Sequence, residues 1–233
     1  MPTPIRLVCL DMAGTTVEDG GAVLAAFHAA LPAAGLHPDT PEHEAAVRYA
    51  LDTMGQSKID VFRALTGGDE QRAAHANQAF EAAYAQSLTA DGVRPLPHAA
   101  ETIEKLRSAG RQVVLTTGFS PTTRDAIIDL LGWRDLVTLA LSPVDAGRGR
   151  PFPDMLLTAL LRTATDSVAQ LAAVGDTTSD LLAGHRAGAA IVAGVRTGTH
   201  TDADFAPVPH THILDSVADL PAVLDAHDQG DMP

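Results

Sequence analysis

The sequence predicts an α/β fold: a parallel-sheet core that carries an inserted α-helical block. Three observations predict it. Short apolar runs alternate with amphipathic stretches over most of the chain, the pattern of βαβ units around a parallel sheet. The alternation stops between about residues 20 and 92, where the sequence is Ala-rich and helical throughout. Several of the apolar runs end on acidic or hydroxyl residues, and in open α/β sheets ligands bind beyond the carboxyl ends of the strands.

In chain order, residues 5–10 form the first predicted strand, and five more follow at 113–116, 137–141, 170–174, 190–195 and 212–214. Amphipathic helical stretches lie between them, among them 99–109 and 121–131. Within the insert, helices are predicted over 23–31, 42–53, 59–65 and 70–88, separated by Gly, Pro and Asp breaks. A polar tail is expected after about Asp225. A helical block placed directly after the first strand is positioned as a cap over the site at the strand ends.

A chain of 233 residues can bury a sizeable core, as one large domain or one domain with a smaller insert. A net charge of −13 leaves no basic patch for nucleic acid, while one local cationic pocket still suffices for a small anionic substrate. No apolar run is long enough for a membrane span. The start, MPTPIRLVCLD, lacks the basic and long apolar regions of a signal peptide, so a cytoplasmic location is expected. The single cysteine, Cys9, lies in the first strand and reads as a buried, inert thiol. The ten histidines offer no metal-ligand spacing; His210 and His212, the nearest pair, lack acidic partners. Trp133 reads as a packing residue.

Four strand ends carry candidate chemistry. Asp11 closes the first strand ahead of Met-Ala-Gly-Thr-Thr, a carboxylate that can approach phosphate while backbone N–H groups bind its oxygens. Thr116-Thr117-Gly118 supplies a hydroxyl followed by a glycine N–H. Gly149-Arg150-Pro151 offers a guanidinium suited to a forked phosphate contact. Asp176 and Asp180, four apart at a helix start, can face one point, and with Asp11 and a backbone carbonyl they make a hard oxygen cage suited to Mg²⁺. Each motif also has a plain structural use, as a helix cap or a turn; the four in this order are far more specific.

Together they resemble the haloacid dehalogenase superfamily of hydrolases over essentially the whole chain. The resemblance implies a Rossmann-like core formed by residues 1–19 and 92–233, with a helical cap domain over 20–91. It implies that Asp11 attacks phosphorus to give an aspartyl-phosphate. Mg²⁺ would be held by Asp11, the backbone carbonyl of Ala13, Asp176 and Asp180, with Thr117 and Arg150 on the transferring group; Thr116 and Thr117 can exchange roles. It also implies a homodimer built through cap-helix contacts.

Position 13 narrows the substrate. Most phosphatases of the superfamily carry a second Asp there, protonating the leaving alkoxide for a general-acid contribution of roughly 10²–10⁴, and Ala13 cannot donate a proton. A leaving group stabilised as an enamine needs no such acid, but it needs a Schiff-base lysine. The insert contains Met54-Gly55-Gln56-Ser57-Lys58, and with the other motifs this resembles the phosphonoacetaldehyde hydrolase (phosphonatase) family. That resemblance implies that Lys58 condenses with the aldehyde of a 2-oxoalkylphosphonate, with Met54, Gly55, Thr116 and Gly118 in substrate binding. The chain holds 14 Arg and 2 Lys, Lys58 and Lys105. A guanidinium cannot form the imine, whereas a plain cation in this chain is usually arginine. Lys105 has its own explanation, standing four after Glu101 at ion-pair spacing. The chain departs from the phosphonatase pattern at Val61, Phe119 and Gly21, where that family carries His, Tyr and Cys. The alternative reading is a phosphate-monoester phosphatase or phosphomutase with Lys58 as a binding cation.

Overall fold

The computed structural model describes residues 2–88 and 93–230. Six strands form one parallel sheet: β1 (Leu7–Asp11), β2 (Gln112–Thr116), β3 (Leu139–Leu141), β4 (Leu171–Gly175), β5 (Ile191–Val195) and β6 (His212–Leu214). Their order is β3-β2-β1-β4-β5-β6. The chain runs outward from β1 in both directions, so β1 and β4 flank the switch point where such sheets bind ligands. Register brings the strand ends level: Asp11 pairs with Thr116, Thr116 with Leu141, and Gly175 with Gly194. The strands are buried on both faces, as near-continuous Val/Leu/Ala runs require.

Eleven α-helices complete the described chain. In the insert lie α1 (Ala22–Ala30), α2 (Pro41–Asp52), α3 (Lys58–Leu65) and α4 (Glu70–Ser87). Around the sheet lie α5 (Ala99–Ser108), α6 (Pro121–Leu131), α7 (Pro143–Ala146), α8 (Asp154–Arg162), α9 (Thr178–Ala187), α10 (Asp202–Phe205) and α11 (Leu220–Gln229). Local chemistry starts them where they start. Thr40 accepts the His43 N–H with Pro41 at the first helical position, Asp69 accepts that of Arg72, and Ser120 that of Thr123 ahead of Pro121. None of the helices among the described residues is long and apolar enough to cross a membrane. The expected end of the insert, at 91/92, lies outside the described residues.

The insert has its own aromatic centre. The Phe27 ring lies 5.4 Å from that of Phe62 and 4.8 Å from that of Phe80, and Tyr84 stacks on Phe80 at 6.1 Å. Tyr84 also reaches Phe119 at 4.5 Å, a residue of the loop after β2, so this cluster joins insert to sheet domain. The loop between α2 and α3 presses onto three core loops, and glycine makes each contact possible. A Cβ on Gly118 would stand 2.4 Å from the carbonyl oxygen of Gln56; one on Gly55 (φ +83°) would stand 2.4 Å from Thr177 Oγ1; and one on Gly149 would stand 2.9 Å from Ser57 Cβ. Gly118→Ala therefore forces this loop off the core, at a cost of about 1–3 kcal/mol. The expected result is kcat/KM lowered roughly 10- to 100-fold with a melting temperature lowered by several degrees, measured by steady-state kinetics and thermal unfolding.

Two expectations need correction. The tail is not simply polar: α11 runs to Gln229, with His227 buried and Asp225 and Asp228 each 3.0 Å from the Arg111 guanidinium. Asp228 also accepts the Ile5 N–H at 2.9 Å, tying the last helix to the start of the chain. A charged sequence there conceals one buried face and a specific ion-pair anchor. Lys105 is exposed on α5 but forms no ion pair with Glu101 among the described residues, since both side chains stay in solvent. Cys9 is buried, as expected, and burial pushes its thiol pKa up.

Candidate active site

At the carboxyl ends of β1 and β4, Asp11, Asp176 and Asp180 converge: each offers a carboxylate oxygen, all within 4.8 Å of one another, and all three residues are buried. The turn after β1 is wound tightly, with Met12 O accepting the N–H groups of Thr15, Thr16 and Val17. Gly14 sits at φ +83°, and a Cβ there would lie 2.6 Å from Asp176 Oδ2, so only glycine lets this turn pass the acid. The two threonines that follow hold it in place. Thr16 Oγ1 donates to Asp11 O at 2.9 Å, and Thr15 Oγ1 donates to Asp176 Oδ1 at 3.2 Å.

The three carboxylates differ in what they have free. Asp176 Oδ2 accepts the Thr199 N–H at 2.8 Å, so both its oxygens are engaged. Asp180 forms a capping box with Thr177, whose Oγ1 donates to Oδ2 at 2.5 Å, while its Oδ1 pairs with Arg150 Nη1. Asp11 Oδ1 stands 2.6 Å from Arg150 Nη2, and its second oxygen has no hydrogen-bond partner among the described residues. Of the three, Asp11 alone keeps an oxygen available to attack.

Three buried acids share one buried guanidinium, leaving a deficit of positive charge. Burial raises the Asp11 carboxyl well above the usual carboxylate range; Arg150 pulls it down, while Asp180 and Asp176 push it further up. Asp176 is raised to about 6, first by burial and then by Asp180. A hard divalent cation is the group that relieves this repulsion, and the all-oxygen donor set fits Mg²⁺. Ala13 lines the same cavity. Chelation by EDTA is expected to abolish turnover, and adding Mg²⁺ to the stripped protein to raise its melting temperature by several degrees; a thermal shift unchanged by Mg²⁺ would count against the cage.

A cavity of about 460 Å³ opens above the acids, with Asp11, Lys58, Thr117 and Asp176 among its lining residues. Met54, Gly55 and Gly118 line it too. Thr117 faces the cavity, and its Oγ1 accepts the Phe119 N–H at 3.2 Å, which leaves the hydroxyl proton to donate to a ligand. Thr116 is buried beneath, beside Arg150 and Asp180 around a void of about 10 Å³. Arg150 likewise stands behind the carboxylates, outside the cavity lining, bridging Asp11 and Asp180.

Lys58 begins α3 and is 6% exposed. Its Nζ lies 5.4, 5.6 and 5.9 Å from the ring centres of Phe27, Phe119 and Phe80, and it makes no ion pair among the described residues. Burial, helped by Arg150, lowers its pKa from 10.5 to about 8, with Asp11, Asp19 and Asp176 opposing. Keeping such an amine protonated at neutral pH costs about 3 kcal/mol, which a purely structural position would avoid with an apolar residue.

Two parts of the site escaped the sequence reading. The loop after β5 closes over Asp176: Thr197 Oγ1 donates to Gly14 O at 2.7 Å, and a Cβ on Gly198 would overlap the Asp176 carboxylate. Arg-Thr-Gly-Thr at a fifth strand end was the available signal. Asp19, a half-buried cavity residue, caps α1 by accepting the Val23 and Gly21 N–H groups at 3.1 Å each; its only local signal is that of a helix cap.

The chain belongs to the haloacid dehalogenase-like hydrolase family, whose profile matches residues 5–188, and it is a hydrolase of that superfamily. Among curated relatives, it is 27% identical to a phosphonoacetaldehyde hydrolase of Nitratidesulfovibrio vulgaris, over 99% of this chain and 95% of that protein. It is also 27% identical to a protein named "Probable phosphatase IndB" of Dickeya dadantii, over 92% of this chain and 91% of that one. Its fold is shared by a phosphonoacetaldehyde hydrolase-like protein of Oleispira antarctica, with a TM-score of 0.79 and 22% identity over 100% of this chain and 97% of the other.

Proposed function

We propose that this hydrolase cleaves the C–P bond of phosphonoacetaldehyde or a related 2-oxoalkylphosphonate, with Asp11 as nucleophile and Lys58 as the Schiff-base amine. The observation that carries this reading is the placement of a buried Lys58 amine, without an ion-pair partner among the described residues and with its pKa lowered to about 8, in the same cavity as Asp11. An amine that forms an imine must be available unprotonated near working pH, and a cation that only binds phosphate gains nothing from a lowered pKa.

In this reading the neutral Lys58 amine adds to the substrate carbonyl, and loss of water with uptake of one proton gives a protonated imine. The free oxygen of Asp11 then attacks phosphorus. The C–P bonding pair moves into the iminium as an enamine, and the phosphoryl group is left on Asp11. Protonation of the enamine carbon and hydrolysis of the imine release the aldehyde or ketone; water cleaves the aspartyl-phosphate. Mg²⁺, held by Asp11, Asp176, Asp180 and the Ala13 carbonyl, would neutralise charge on the phosphoryl oxygens. The Thr117 hydroxyl donates to one of those oxygens, and Arg150 fixes Asp11 and Asp180 from behind. No residue is required to protonate a leaving alkoxide, consistent with Ala13.

The cavity also bears on the substrate. It has a volume of about 460 Å³. Val23, Leu24, Leu51 and Leu96 line part of it, an apolar wall fit for an alkyl substituent. The test is phosphate release from phosphonoacetaldehyde, from alkyl-substituted 2-oxoalkylphosphonates and from small phosphate monoesters, side by side. The proposal expects the phosphonates to be preferred by kcat/KM; preference for an ester would favour the phosphatase or phosphomutase reading instead.

A further inference from the structure

We propose that Asp19 is the proton-relay residue for Lys58, taking the ammonium proton before imine formation and returning a proton to the departing water. This inference rests on the imine reading of Lys58 and adds to it the group that makes the amine reactive.

Lys58 has few routes for its proton. On three sides it meets the rings of Phe27, Phe80 and Phe119, none of which can accept it. One turn further along α3 the buried residue is Val61, equally inert. The proton must leave toward the cavity. There, the titratable side chains among the described residues are Asp11, Asp176, Glu18 and Asp19, besides Lys58 itself. Asp11 is committed to phosphorus and to Arg150. Asp176 belongs to the cluster of three acids that would hold the metal. Glu18 is exposed to solvent. Asp19 remains: half-buried, on the cavity wall, and fixed at the start of α1 by the Val23 and Gly21 N–H groups.

The charged groups acting on Lys58 are Arg150, Asp11, Asp19 and Asp176. Those acting on Asp19 include Lys58, and burial raises its carboxyl above the ordinary value, narrowing the gap to an amine near 8 and easing transfer in both directions. Burial holds the Tyr84 phenol protonated, and the nearby carboxylates of Asp19 and Glu81 act the same way. Asp19 and Lys58 are not in ion-pair contact; both line the same cavity, which is roomy enough to hold a bridging water.

The steps balance. The ammonium and the Asp19 carboxylate become amine and carboxylic acid; the amine adds to the carbonyl, giving a carbinolamine. The acid then protonates the departing hydroxyl, leaving water, the protonated imine and an ionised Asp19.

The experiment compares wild type with Asp19→Asn and Asp19→Glu as full chains, with phosphonoacetaldehyde as the probe. It reads the rate of borohydride-trapped adduct on Lys58 across pH, together with the melting temperature. Asparagine can still accept the Val23 N–H. Asp19→Asn is expected to slow trapping about 10²- to 10³-fold with an unchanged fold, and to steepen its rise with pH, because the amine then depends on solvent base. Asp19→Glu should recover part of the rate. Wild-type trapping rates and pH profile in Asp19→Asn would overturn the proposal. So would equal losses in both variants with a matching fall in melting temperature, which would mark Asp19 as a cap only. Absence of any adduct in wild type would instead remove the imine reading, and this proposal with it.

Discussion

Replacing Asp11 with asparagine is expected to lower phosphate release by about 10⁴- to 10⁶-fold, the scale on which loss of a nucleophile is felt, while the protein stays folded. Asp176 and Asp180 have both carboxylate oxygens tied to Thr15, Thr199, Thr177 and Arg150, so neither can swing to phosphorus without breaking the cage. Asp11 gives one oxygen to Arg150 and keeps the other on the cavity. Asparagine fills the same space and removes a carboxylate from a crowded acidic cluster, so the melting temperature should hold or rise. Steady-state kinetics and thermal unfolding check both halves. An Asp11→Asn enzyme within tenfold of wild type would place the nucleophile elsewhere.

Lys58→Arg is the second large effect. Arginine keeps the charge, and this chain uses it for 14 of its 16 strong cations, so a binding role would survive the change with modest loss. A guanidinium neither loses its proton near neutral pH nor forms an imine, so the C–P reading expects a loss of at least about 10³-fold in kcat, the scale of a covalent and proton-transfer role. Binding should be largely spared, read as an inhibition constant for phosphate or an unreactive phosphonate. Because Lys58 sits inside an aromatic box, the larger side chain also tests packing, and circular dichroism with thermal unfolding separates the two. A Lys58→Arg enzyme retaining a tenth or more of wild-type kcat would favour the ester reading.

The sheet was legible because parallel strands buried on both faces must be written as short apolar runs, and the polar residue ending each run marks the edge where side chains leave the core. Asp11, Thr117 and Asp176 could be placed side by side on that ground alone, once the strands were ordered. Arg150 could be assigned to the site but not to its side of it. A sequence shows that a guanidinium follows β3, not that it lies behind two carboxylates, because that depends on how the loop folds back. Thr116 and Thr117 could not be told apart for the related reason that the strand ends between them and the alternation of faces breaks there. Asp19 stayed hidden because its only local signal is that of a helix cap, and its place on the cavity wall follows from how α1 packs. The three glycines that admit the α2–α3 loop were visible as glycines; their purpose depends on contacts between segments far apart in the chain.

The central claim is that one cavity holds both a carboxylate nucleophile and an imine-forming lysine. It is tested most directly by reducing the enzyme with borohydride during turnover of a 2-oxoalkylphosphonate and mapping the modified peptide by mass spectrometry. The account predicts loss of activity with a single adduct on Lys58, bearing the carbon skeleton of the substrate without its phosphorus once C–P cleavage has occurred. Continued phosphate release from that substrate, with no adduct on Lys58 under reduction, would contradict it.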